Sequence, residues 1–414
     1  MSKIFHASLR GLSSTKEREL STLDIKTTEW KDIDIESSSF YLFIPQNTDL
    51  LAEYNRGWKV TNIFPINVMG FQTHRDHFAI DLDYKNLEHR LNKFKDLFVS
   101  DPEIKLKYQI EDGSSWNVRQ ARLDLKQQGI EEEKLIACHY RPFDWRYCYF
   151  SKIVMDRPRQ ELINHVAGKD NLCFNITRQT KSSQWAHGLV SNSPTPAVFV
   201  EVKDGSSVFP LYRYPTTQAE KAMGMNRTSN LSPSFLAKIQ QNLGYQPTPE
   251  AIFHYIYAIF HSPTYRSRYA EFLKIDFPRV PLTSDDNLFK QLATLGEKLV
   301  NLHLMKSIET GRGGDWESGL SGNSSAAVGA GYPKYESGKV TINKQGEGFI
   351  DVPEAVWKFH VGGYQVCHKW LKDRKGRVLS AEDIAHYQGI VGALGETIEV
   401  MDAIDVAIPG FPIQ

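Results

Sequence analysis

The sequence lacks the signatures that announce the common nucleotide-using and hydrolytic enzymes. It contains no G-x-x-x-x-G-K-[ST] phosphate loop, no G-x-G-x-x-G after a strand-like run and no G-x-S-x-G elbow, and the chemistry of each class needs the backbone shape its motif encodes. The Asn-Pro-Pro-Tyr-like tetrapeptide with which amino-methyltransferases grip an extruded base is missing as well. Cysteine is scarce. Cys138, Cys148, Cys173 and Cys367 stand too far apart for a C-x-x-C zinc or redox motif, so buried free thiols are expected. No apolar run approaches the roughly 18 residues of a membrane span, and the polar start MSKIFHASLRG has no signal-peptide core, so a cytoplasmic protein is expected. There is no excess of charge of either sign: 49 Lys+Arg face 49 Asp+Glu.

What is present is an ordinary globular composition, 41% hydrophobic and 24% charged over 414 residues, enough for two or three domains with real cores. The neutral total hides a local imbalance. Residues 139–281 carry 17 Lys+Arg against 10 Asp+Glu, whereas both flanks are mildly acidic. A basic middle is compatible with a phosphate-facing surface.

Hydrophobic period divides the chain further. Short apolar runs alternate with turns from Phe40 to Ile80, among them FYLFIP at 40–45. Leu87, Leu91, Phe94 and Leu97 predict an amphipathic helix over 83–98, and 111–134 reads as a polar helix. The run HYRPFDWRYCYF at 139–150 reads as one strand, with Phe143, Trp145, Tyr147 and Tyr149 on one face and Asp144, Arg146 and Cys148 on the other. MDRPRQELINHVA, NLCFNITRQTKSSQW, TPAVFVEV and SVFPLYRYP follow, giving a module of about five strands with one helical insert. The period then changes. Thr248-Pro249 and Ser262-Pro263 start two helices by the N-cap and first-turn proline device, and a third begins at Ser284 with a leucine stripe from Leu288 to Leu302. Residues 310–332 hold seven glycines and read as a loop. Strand-like patterns return over 340–360, and a last helix opens at Ser380, in which Gly389, Gly392 and Gly395 predict close approach of a neighbour.

Three clusters carry possible chemistry. HRDH at 74–77 offers two imidazoles and a carboxylate, but no further ligand cluster accompanies it, and a turn in which Asp76 bonds backbone amides is the favoured reading. Cys367 beside His368 would need to point one way, which neighbours on a helix do not. RPRQE (157–161) with ITRQTKSSQWAH (176–187) supplies Arg157, Arg159, Arg178, Gln179, Lys181, Gln184 and His187. These are side chains suited to base edges and phosphates, since Arg can bridge guanine O6 and N7, and Gln adenine N6 and N7. Internal pairs, Arg159 with Glu161 or Arg146 with Asp144, are the competing use of the same charges.

Several blocks resemble one family. FHASLRGLSSTKEREL, GFQTHRDHFAID, HYRPFDWRYCYF, MDRPRQEL, PEAIFHYIYAIFHSPTYRSRYAEFLKIDFPRVP, LGEKLVNLHL and VWKFHVGGYQVCHKWLKDRKGRVLS are similar, in this order, to the C-terminal part of type ISP restriction-modification enzymes, which join a nuclease, a motor, an adenine-N6 methyltransferase and a target-recognition domain. The resemblance implies an α+β chain with residues 1–100 the end of a methyltransferase-like domain and its connector. Target recognition would occupy the rest: a β-rich part at 101–218, a helical layer at 219–309, a Gly/Ser-rich loop at 310–339 and a strand-and-helix part at 340–414. It implies double-stranded DNA as partner, alongside the methyltransferase, motor and nuclease parts of the system. S-adenosylmethionine would be the cofactor of the parent enzyme, with no catalytic, cofactor or metal residue in this chain. For DNA contact the residues singled out are Arg159, Arg178, Gln179, Lys181 and Gln184, with Arg266 and Arg268 for phosphates and Arg146 either bracing the sheet or reaching out. The alternatives are a methyltransferase fragment retaining part of its cofactor pocket, and a protein-docking module.

Overall fold

A computed structural model describes residues 3–33, 47–113, 116–182, 184–224, 226–306, 313–318 and 325–413. The FYLFIP run lies outside them. The chain forms two compact units, Met1–Gly57 and Trp58–Gln414. In the first, strands Ile4–His6 and Lys31–Ile33 pair antiparallel, and helix Ser13–Thr22 buries none of its residues.

The second unit is α+β, and its elements are introduced in chain order. Strand β1 (Val68–Met69) and strand β2 (Ile80–Asp81) precede α1 (Tyr84–Phe94), which starts at Asp83 as an N-cap and buries Leu87, Leu91 and Phe94 as its period predicts. Two helices follow, α2 (Asp101–Tyr108), not foreseen, and α3 (Val118–Gln128). The aromatic run is a hairpin, not one strand. Strand β3 (Leu135–Arg141) turns at Pro142 and Phe143 into β4 (Asp144–Tyr149), with Phe143 at φ +61°. A bulky residue at positive φ is unusual, so nothing in the residue types marks this turn. The register is Leu135 to Tyr149 and His139 to Trp145, shifting before Arg141 meets Asp144, and β2 adds the third strand.

Helix α4 (Gln160–Val166) leads to β5 (Cys173–Ile176), β6 (Gly188–Ser191) and β7 (Ser207–Pro210), which with β1 make a four-stranded sheet in the order β1-β7-β5-β6. TPAVFVEV is not a strand. It is a buried connection with a single bridge at Pro196, and apolar content without alternation does not distinguish the two.

The helical layer comprises α5 (Pro233–Leu243), α6 (Pro249–His261, capped by Thr248), α7 (Pro263–Arg268, capped by Ser262) and α8 (Asp286–His303). The cap of α8 is Asp285 rather than Ser284. Phe174 on β5 stacks on Phe253 of α6 at 3.7 Å, seating the layer on the sheet.

Within the glycine-rich segment, β8 (Asp315–Glu317) is a strand. It joins β9 (Lys334–Glu336), β10 (Lys339–Thr341) and β11 (Gly348–Ile350) in the order β8-β11-β10-β9. Helix α9 (Glu354–Trp357), the small hairpin β12 (His360–Val361) and β13 (Tyr364–Gln365), α10 (Val366–Lys372) and α11 (Ala381–Ala407) complete the unit. Ser380 and Asp383 form a capping box on α11. Gly395 on α11 makes only ordinary contact, 3.9 Å from a Val356 methyl to where a Cβ would sit. A close approach occurs at Gly296 of α8, where an added Cβ would lie 1.9 Å from His254 O. Among the described residues no helix is long and apolar enough to cross a membrane.

Candidate functional site

Between β5 and β6 the polar run 177–187 leaves the sheet and returns to it. Thr177 N donates to His187 O at 3.2 Å, closing its base, and Thr180 N donates to Lys274 O at 3.0 Å. Trp185 is 1% exposed and anchors the return limb. Beneath it His187 Nε2 lies 3.1 Å from Thr180 Oγ1 and 3.1 Å from Glu201 Oε2. Burial works against the Glu201 charge, but the N–H groups of Lys203 and Val202 together with His187 outweigh it and hold the carboxyl below its ordinary range. Burial is also the main influence on His187 and lowers its pKa. His187 is therefore a prop of the loop, not a contact residue. With its base fixed, the run turns Arg178, Gln179, Lys181 and Gln184 outward, all four exposed. Arg178 Nε lies 3.4 Å from Asp276 Oδ1 with its side chain 70% exposed, and Gln179 Nε2 donates to Asp204 at 3.4 Å. Such solvent-exposed contacts are weak and give way to a ligand at little cost.

The other sequence candidates stand differently. Arg146 is committed internally: it donates to Asp144 Oδ2 from Nε at 3.0 Å and Nη2 at 2.7 Å, lies 3.5 Å from Asp373 and covers the Tyr140 ring at 4.1 Å. The cause is Asp144, 1% exposed, which also takes Arg374 Nη2 at 3.0 Å. A buried carboxylate without counter-charge is strongly disfavoured, and although burial pushes its pKa upward, Arg146 and Arg374 bring it below the ordinary value. Arg146 thus braces the hairpin against the end of α10, the bracing role the sequence favours for it. Arg159 caps α4 at φ +57°, with its side chain 23% exposed and 3.8 Å from Glu161. Arg268 is partly buried, 5.9 Å from the Tyr269 ring.

Arg266 is distinctive. Its Nε donates to Phe260 O at 2.6 Å, and burial pulls its pKa down to about 10. Asp405, which opposes that fall, is occupied by Thr264 N at 2.9 Å and Thr264 Oγ1 at 2.6 Å and by Ser262. Among the described residues Arg266 makes no ion pair. It lines an open cleft of about 1030 Å³ with Ser182 and Gln184 of the loop and with Lys358, His360 and Gly362 near β12. Of the eight candidates, the cleft brings together Gln184 and Arg266; Lys358 and His360 were not foreseen.

HRDH gathers no metal site, and no such cluster occurs among the described residues. Asp76 accepts from Tyr140 OH at 2.8 Å and from the Thr73 hydroxyl, while His77 Nε2 meets Tyr108 O at 2.8 Å. Cys367 is buried and its pKa is pushed up to about 12, which denies it thiolate chemistry.

A stiff scaffold that turns cations and amides outward from one loop, next to a cleft floored by an unpaired guanidinium, has the makings of a recognition module. The chain belongs to the Type ISP C-terminal specificity domain family, whose model matches residues 62–403. No curated protein matches it. Solved structures share the fold. A cryo-EM structure of a DrdV–DNA complex aligns at TM-score 0.73 and 17% identity, over 100% of this chain and 44% of that one. A nuclease-deletion mutant of the type ISP restriction-modification enzyme LlaGI, in complex with a DNA substrate mimic, aligns at 0.69 and 19%, over 97% and 32%. The ATP-dependent type ISP enzyme LlaBIII bound to DNA aligns at 0.70 and 17%, over 93% and 26%. The chain therefore spans less than half the length of each.

Proposed function

We propose that this chain selects a duplex DNA sequence for a type ISP-like restriction-modification system. In this reading the adenine methylation with S-adenosylmethionine, the motor and the nuclease reside in parts of the system beyond this chain, and the stretch before the family match joins the module to them. The observation that carries the reading is the 177–187 loop. Its two limbs are bonded to each other at the base through Thr177 and His187, and one of them to Lys274, while Arg178, Gln179, Lys181 and Gln184 project from it. Arginine and glutamine on a fixed backbone are the groups that read major-groove edges in bidentate fashion, and lysine supplies phosphate contact. Arg159 belongs with the base-reading set, and Arg266 and Arg268 are assigned to phosphates.

Arg178→Ala tests this. A bidentate base contact is worth about 1–3 kcal/mol of discrimination, so the variant should lose roughly tenfold or more in preference at one base pair while still binding mismatched duplexes. Absence of binding to every duplex at low salt, by folded wild-type chain, would contradict the proposal.

A further inference from the structure

The cleft beside the loop has, besides Arg266, a second wall that the recognition reading does not use. The floor is Arg266, a guanidinium held in place by Phe260 O, with no ion pair among the described residues and with burial lowering its pKa. A cation kept partly out of water without a counter-charge is costly unless an anion completes it. Ser182, Thr264 and Ser267 line the same space, with the Thr264 hydroxyl donated to Asp405 at 2.6 Å and that of Ser267 to Thr264 O at 3.1 Å. The second wall is the turn 358–363. Gly362 N donates to Ala186 O at 2.7 Å and Gly363 N to Val200 O at 3.0 Å, so this turn is bonded directly to the base of the 177–187 loop. The contact admits only glycine: Gly362 has φ +55°, and a Cβ there would lie 1.8 Å from Val200 O. Lys358 stands on this wall with its side chain 68% exposed and, among the described residues, paired only with Glu354, itself 64% exposed, and an exposed i,i+4 pair yields readily. His360 Nδ1 lies 2.6 Å from Lys358 O, which fixes the ring beside it.

We infer that this cleft takes the sugar-phosphate backbone of one DNA strand, with Arg266 beneath a phosphate and Lys358 against it from the opposite wall. The inference rests on the DNA-recognition reading and extends it to the C-terminal part of the chain. A single fixed guanidinium with an exposed lysine on the second wall suits a phosphodiester, and the grip would be indifferent to sequence, complementing the loop that reads bases.

The experiment is duplex binding by the full chain over a series of salt concentrations. Each phosphate neutralised contributes about 0.9 to the slope of log K against log salt. Lys358→Ala should lower that slope by about this amount and weaken all duplexes equally, while Lys358→Arg should keep it. Because Lys358 is exposed, the melting temperature should not move. Arg266→Gln should give the same sequence-independent loss, with folding checked by thermal melting. An unchanged slope in Lys358→Ala, or a loss confined to one duplex sequence, would overturn the inference. If wild type binds but only Arg178→Ala alters it, the cleft assignment alone fails; if wild type binds no duplex, the recognition reading fails with it.

Discussion

His139 sits at the centre of the hairpin, fully buried, its ring stacked on Trp145 at 4.1 Å and against Phe199 at 4.6 Å, with neither ring nitrogen partnered. Burial brings its pKa down to about 3, and burial does the same for His303. A histidine whose folded pKa lies below its unfolded value of 6.5 leaves stability intact above that pH. Below it the unfolded chain binds the extra proton, and stability is lost as the pH falls toward 3. Each such residue contributes a slope of about 1.4 kcal/mol per pH unit. His139→Phe should remove one proton's worth of that slope in urea unfolding between pH 7 and 4, and an unchanged slope would refute the assignment. Replacing an unpartnered buried polar ring with an apolar one should also raise stability at pH 7. At this scale the sequence was a partial guide. The Arg146–Asp144 pair was visible as an option because the residues are two apart on one strand. Arg374 and Asp373, which decide it, arrive from far along the chain.

Among elements, helix starts were legible at Thr248-Pro249 and Ser262-Pro263, where a capping residue precedes proline, and at Ser380, where a capping box forms, although the same signal at Ser232-Pro233 was not read. These signals are local and act before any tertiary contact. The hairpin within HYRPFDWRYCYF was illegible because its turn rests on Phe143 at positive φ, a conformation tertiary packing imposes and residue type does not announce. Of the glycines of the last helix, Gly395 is not held to glycine by a close neighbour. Gly296 in α8 is a position that backbone contact restricts to glycine, since a Cβ there would overlap His254 O. Gly296→Ala should destabilise by about 1–3 kcal/mol through overpacking, despite the better helix propensity of alanine. Gly395→Ala, with only a 3.9 Å methyl contact, should be neutral or stabilising by up to about 1 kcal/mol. Equilibrium denaturation compares them, and equal effects would show that α6 and α8 do not meet at Gly296.

In the whole molecule, three stretches far apart in sequence converge on one surface: the 177–187 loop, the α7 segment around Arg266, and the turn beside β12. The first two were readable as polar or basic runs between apolar elements. The third was not, because Lys358 and His360 acquire meaning only through the Gly362–Ala186 and Gly363–Val200 bonds. The same logic explains why net charge was uninformative, since a surface of this size needs only a few placed cations. Sequence selection by the folded chain from a randomised duplex pool at low salt, run in parallel with an Arg178→Ala, Gln184→Ala double variant, addresses the central claim most directly. The account predicts that wild type enriches one defined motif and that the variant retains binding but loses information at one or two positions of it. Identical enrichment by both, or none by wild type, would contradict it.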